Sequence, residues 1–154
     1  MNITIPSGIT SIGNTAFAYC QSLTHIEIPN VVTSVPNELV YSCYSLKSIK
    51  FNGAITSIGA SSFRDCYSLT TIEMPSNSEI TSLGNYAMSG CRSFTDFSIF
   101  KDVTSFGTYC FQNCYNLKEF KLPNGLTSIP NYMFNNCYSL ESVDISDTVT
   151  NIGN

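Results

Sequence analysis

Six of the seven cysteines, at positions 20, 43, 66, 91, 114 and 137, form a series with steps of 23, 23, 25, 23 and 23 residues. Their surroundings repeat too. The stretch CYSLKSIKF from Cys43 returns as CYSLTTIEM from Cys66, CYNLKEFKL from Cys114 and CYSLESVDI from Cys137. A period in the twenties held along a whole chain admits few folds. A unit that short does not bury an apolar face alone, so units must stack on one another as a solenoid.

One unit reads ITSIGNTAFAYCQSLTHIEIPN from Ile9 to Asn30, and the next reads VTSVPNELVYSCYSLKSIKFNG from Val32 to Gly53. Others begin at Ile55, Ile80, Val103 and Leu126, and partial units lie at both ends. The expectation is a single domain over residues 1–154, about six units of 23–25 residues, already under way at Ile3 as in a piece of a longer protein. The step of 25 comes from two extra residues in PSNSEI, which places a loop at Ser76–Glu79.

Within a unit, LTHIEI alternates apolar and polar residues before a proline and predicts a short strand with Leu23, Ile26 and Ile28 inward. The segment GNTAFAYC sets Ala16, Phe17 and Cys20 at helical spacing behind Asn14, a residue suited to capping, and predicts a short helical turn. Gly13, Gly59, Gly84, Gly107 and Gly153 punctuate the units, with Pro36 and Pro130 in the same place in two others.

These recurring stations, LxxIxIPxxVTSIGxxAFxxC, resemble the BspA-like class of leucine-rich repeats over essentially the whole chain. Val40 and Met88 depart at the phenylalanine position, and Asn52, Phe100 and Ser146 at the proline position. The resemblance implies an α/β solenoid, a leucine-rich-repeat right-handed superhelix. Its parallel β-sheet would lie on the concave face and its short helical turns on the convex face. It also implies a secreted or cell-surface setting and a role in adhesion or host binding.

The residues offer little chemistry. Six cysteines share one core station, and Cys110 falls where other units place Ala16, Leu39, Ser62, Ala87 and Met133, so buried, reduced thiols without disulfides are expected. No cysteine pair has zinc spacing, His25 is the single histidine, and neither a nucleophile elbow nor a phosphate-binding glycine loop occurs. No enzyme activity, cofactor or metal site is therefore expected. The 7 Lys and Arg residues are scattered and the net charge is −4, which excludes a nucleic-acid footprint. No apolar run reaches the length of a membrane span and the amino terminus has no signal-peptide pattern, so direct membrane insertion is not expected.

Two surfaces remain as candidates. The outward strand column runs Thr4, Glu27, Lys50, Glu73, Ser98, Lys121 and Asp144 with alternating sign, and cross-strand attraction is expected in Glu27–Lys50–Glu73 and Lys121–Asp144. A second column includes His25, Asp96 and Glu119, and all the carboxylates named, with Glu141, are assigned to strands. These residues, from His25 to Asp144, form the candidate partner-binding face. The tyrosine after each cysteine predicts an aromatic edge of Tyr44, Tyr67, Tyr115 and Tyr138, interrupted by Arg92. The expected function is a non-catalytic protein-interaction scaffold acting as a monomer or with weak end-to-end self-association. A structural spacer for another domain and a carbohydrate-binding module are the alternatives.

Overall fold

A computed structural model describes all residues, Met1–Asn154. Most turns lay down two short strands. In chain order they are β1 (Asn2–Ile3), β2 (His25–Ile28), β3 (Ser34–Val35), β4 (Ser48–Phe51), β5 (Ser57–Ile58) and β6 (Thr71–Glu73). The second half adds β7 (Ser82–Leu83), β8 (Ser105–Phe106), β9 (Glu119–Lys121), β10 (Ser128–Ile129), β11 (Ser142–Asp144) and β12 (Asn151–Ile152). The strand expected at Asp96–Ser98 is replaced by a 3-10 helix, Phe97–Phe100.

Every pairing is parallel, and nearly all join residues 23 apart. One sheet has the order β1-β2-β4-β6 and resumes as β9-β11; the other has β3-β5-β7-β8 and resumes as β10-β12. Inward residues of both sheets form one buried cluster that includes Leu23, Ile26, Ile49, Ile58, Phe63 and Leu69. The VTS threonines add a side-chain ladder, with the hydroxyls of Thr56, Thr81 and Thr104 donating to the carbonyl one turn earlier.

The third side of each turn is not helical, which corrects the expectation of short helical turns. Alternate N–H groups there donate to the following turn: Thr15 to Asn37, Phe17 to Leu39, and Tyr19 to Tyr41, at 2.7–3.0 Å. The same triplet recurs from Glu38, Ser61, Tyr86 and Tyr109, so this ladder runs unbroken to Asn154. The first and third donors of each triplet, four residues apart, take left-handed conformations, such as Ser61 and Asp65 (φ 54° and 60°) or Tyr109 and Asn113. That conformation costs about 1–2 kcal/mol for most residues and least for Gly, Asn and Asp, which explains Asp65, Gly90, Asn113 and Asn136 just before a cysteine.

Asn14 caps no helix. Its Oδ1 accepts the N–H of Asn37 one turn on, and Asn37, Asn85 and Asn131 do the same for Ala60, Thr108 and Asn154. The stacked turns approach so closely that a Cβ at Gly59 would lie 2.8 Å from the Asn37 nitrogen. The inserted Ser76–Glu79 region turns back on the stack, where the Ser78 hydroxyl accepts the Ile55 N–H at 3.0 Å.

The cysteine station is also an inter-turn link. The thiols of Cys43, Cys66, Cys91, Cys114 and Cys137 donate to the carbonyls of Phe17, Val40, Phe63, Met88 and Phe111 at 3.0–3.2 Å. Cys20 is half-buried, whereas the other six are buried. Burial pushes the Cys43 thiol up to about 12 and Cys137 up to about 11, and raises Cys66, Cys91, Cys110 and Cys114 as well.

The phenylalanines gather at one level. Phe94, Phe97, Phe100, Phe111 and Phe120 contact one another with ring centroids 5.1–6.5 Å apart, and Phe106 joins Phe111 and Phe120. At the stations of Phe94, Phe97 and Phe106 the other turns place mostly Leu and Ile. Both sheets stop at this level: β6 has no partner beyond it, β8 is not paired with β10, and only the turn-side ladder passes through. A strand spacing of about 4.8 Å does not accommodate this ring volume.

Three outcomes follow. Phe63, fully buried and edge-on to Phe51, should cost about 3–5 kcal/mol as Phe63→Ala in denaturant unfolding. Deleting one unit, Ile55–Glu79, should leave a folded, less stable protein; a shortened array that does not fold, beside an unaffected Phe63→Ala, would contradict the solenoid.

For the six buried thiols, folded-state values lie above the ordinary 9.0, so their stabilisation is complete below pH 9 and is lost as pH rises through the folded values. The melting temperature should fall from pH 9 toward 12. A thiol reagent should find few groups in the native protein and seven in denaturant; a flat alkaline melting profile would contradict the burial.

Candidate functional site

On the strand face, register is set by the ladder. His25 lies opposite Ser48, Glu27 opposite Lys50, Lys50 opposite Glu73, and Lys121 opposite Asp144. His25 Nδ1 is 2.8 Å from the Ser48 hydroxyl and its Nε2 is 3.8 Å from Glu27. Lys50 reaches Glu27 at 3.6 Å, and Lys121 reaches Asp144 at 3.8 Å. Glu73, though in register with Lys50, makes no ion pair, so the expected three-member run is a pair. These exposed contacts each contribute about 0–1 kcal/mol; their value is positional.

Asp96 is off the strand face's ladder. Its carboxylate accepts the Ser98 N–H at 3.3 Å and the Ser98 hydroxyl, capping the 3-10 helix. The local reason is apolar spacing: Phe94, Phe97 and Phe100 repeat every third residue, which suits a 3-10 turn, and Phe100 replaces the strand-ending proline of other units. An extended Asp96 would also lie beside Glu119, and like charges directly opposite are unfavourable.

The 3-10 helix and β9 enclose a polar concavity of about 940 Å³, which includes Asp96, Lys101, Lys118, Glu119 and Lys121. Three of the chain's 7 basic residues meet there. No group of three or more His, Cys, Asp or Glu side chains is arranged to hold a metal ion.

The tyrosine edge forms a continuous column. Tyr44 stacks on Tyr67 with centroids 4.9 Å apart and planes 4° apart, and Tyr115 stacks on Tyr138 at 5.2 Å. Arg92 does not interrupt it. Its guanidinium lies 4.1 Å from the Tyr67 centroid and 5.0 Å from that of Tyr115, bridging the two halves by cation–π contact.

A second column on the turn side escaped the sequence reading. Tyr86, Tyr109 and Tyr132 stack at 4.7 and 4.6 Å, and Arg64 links Tyr86 to Tyr41, which meets Tyr19 edge-on. The 23-residue spacing of Tyr86, Tyr109 and Tyr132 was its signal.

Comparison with known proteins agrees with this architecture. A family model described as BspA type leucine rich repeat region matches in six copies, over residues 1–80 and 41–154. A leucine-rich-repeat protein of T. pallidum superposes with a TM-score of 0.83 at 23% identity, covering 99% of this chain and 72% of that one. A leucine-rich-repeat protein of Bacteroides ovatus gives 0.73 at 29%, covering 99% of this chain and 44% of that one.

A leucine rich cell surface protein of Faecalibacterium prausnitzii gives 0.60 at 28%, covering 98% and 37%. The chain thus spans less than half of the latter two. No curated protein matches it in sequence. No helix is long and apolar enough to cross a membrane. With the family model matching from end to end and the inter-turn geometry in agreement, the chain belongs to the BspA-type leucine-rich-repeat family.

Proposed function

We propose that this chain is a non-catalytic scaffold that presents its strand face to a protein partner, as part of an adhesion or host-binding surface. The observation that carries the reading is the fixed register of charged side chains, Glu27 and Lys50 on one ladder and Lys121 and Asp144 on another, standing outward from a rigid support. Repeat folds use such extended faces for recognition because side chains at constant spacing need little ordering when a partner arrives.

The setting is drawn from likeness. One similar structure is of a leucine rich cell surface protein, and we place this chain at a cell surface or outside the cell on that basis. The tyrosine edge of Tyr44, Tyr67, Tyr115 and Tyr138 is assigned as a flank of the contact, since Tyr supplies amphipathic area at low entropic cost. His25, Glu27, Lys50, Glu73, Glu119, Lys121 and Asp144 form its centre, with Asp96 beside the 3-10 helix.

The test uses binding to surface-displayed and extracellular proteins, measured by interferometry with variants of the whole chain. Glu73→Lys with Glu119→Lys should weaken association about tenfold and change its salt dependence while the melting temperature stays within a few degrees. Gln112→Lys, on the turn side, should leave binding unchanged. Loss of binding in Gln112→Lys, with none in the strand-face pair, would overturn the reading.

A further inference from the structure

The rungs that join each turn to the next at the start of the strand face run from Thr24 to Met1, Lys47 to Thr24 and Thr70 to Lys47 at 2.9 Å, then stop. They resume with Glu141 to Lys118 at 2.8 Å. In the gap the 3-10 helix has withdrawn its backbone from the ladder, and β9 is paired on one side only, with β11.

The Ser142 N–H bonds to Lys118 and the Leu122 N–H to Asp144. These bonds turn Lys118, Phe120 and Leu122 toward β11, so strand alternation aims the main-chain groups of Glu119 and Lys121 at the concavity of about 940 Å³. Glu119 has no ion-pair partner, and the partner of Lys121 is Asp144, on the side away from the gap.

We propose that this gap binds an extended peptide segment of a partner protein, added as a strand to the open edge of β9. A basic side chain of the peptide would lie beside Glu119 and an acidic one, two residues along, beside Lys121. The inference rests on the reading of the strand face as the partner surface and names how the partner enters it. Unpaired strand edges take main-chain donors and acceptors at alternating positions, which an extended peptide supplies.

The charge rule is the one the protein already uses between β2 and β4, where Glu27 and Lys50 pair across the ladder at 3.6 Å. A sugar is disfavoured as occupant because the ring faces beneath, Phe97 and Phe120, are buried at 7% and 4% exposure and offer no stacking platform.

The test is amide hydrogen exchange followed by NMR, with a short capped peptide of alternating valines whose other face carries a lysine and a glutamate two residues apart. At saturation the Glu119 and Lys121 amides should slow about tenfold or more. A copy N-methylated at the edge-facing amides should give no protection. Replacing the peptide's lysine by glutamate should weaken binding about fivefold, and Glu119→Lys in the protein should reverse that preference.

Equal binding by the N-methylated peptide would overturn the proposal, as would no binding by the parent. Protection at Thr71–Glu73 instead would sink the groove but keep the strand-face reading, and protection confined to turn-side amides would sink both. Protection of Glu119 and Lys121 that grows with protein concentration alone would assign the edge to a second copy and overturn the peptide.

Discussion

The structure depends on one bond made many times, the backbone hydrogen bond from a residue to its counterpart a turn away. Nearly all of these bonds join residues within one position of the repeat length, and outside the phenylalanine level most turns carry them on three sides. On two sides they are ordinary parallel strand ladders. On the third they require left-handed backbone at pairs of residues such as Glu38 and Ser42, a local cost offset by the bonds that the N–H groups of Glu38, Val40 and Ser42 make to the next turn. Side chains reinforce the same direction. Asn37 and Asn85 bridge backbone to backbone, Cys66 and Cys91 donate to carbonyls, and threonines do so at the surface.

Because the link is periodic, surface residues of successive turns stand in columns. Two of them are lined by tyrosine rings with one guanidinium inserted in each, where Arg92 and Arg64 occupy places a tyrosine ring fills elsewhere. Such stacks hold side chains against motion and keep arginine charge at a defined height. The strand face carries charge in the same way, and its one interruption is made by volume. Phenylalanine rings at Phe94, Phe97, Phe100, Phe106, Phe111 and Phe120 part the strands while the turn-side ladder continues. The break in the surface is thus a consequence of core composition.

Much of this was legible in the sequence. Period alone pointed to the solenoid, the family resemblance implied its parallel strands, and aligning units on cysteine set Glu27 against Lys50 and Lys121 against Asp144 in the register the ladder has. The turn side was misread because the apolar spacing of Ala16, Phe17 and Cys20, three and four residues apart, suits a helix as well as this turn with its left-handed residues. The distinguishing signal was Asp65, Gly90, Asn113 and Asn136 before the cysteine, residues that tolerate positive φ.

Asp96 was misassigned because Phe97 and Ile99 imitate the alternation of other strands, whereas Phe100 in place of proline showed the three-residue spacing. The bridging by Arg92 depends on a contact between turns that no single unit displays.

Hydrogen exchange of the unliganded protein tests the inter-turn account most directly. The amides of Val40, Phe63, Met88 and Phe111, which donate to the next turn on the non-strand side, should exchange only through global unfolding and be as protected as Ile49 in the strand core. Exchange of those four amides at the rate of exposed loops, with Ile49 protected, would contradict it.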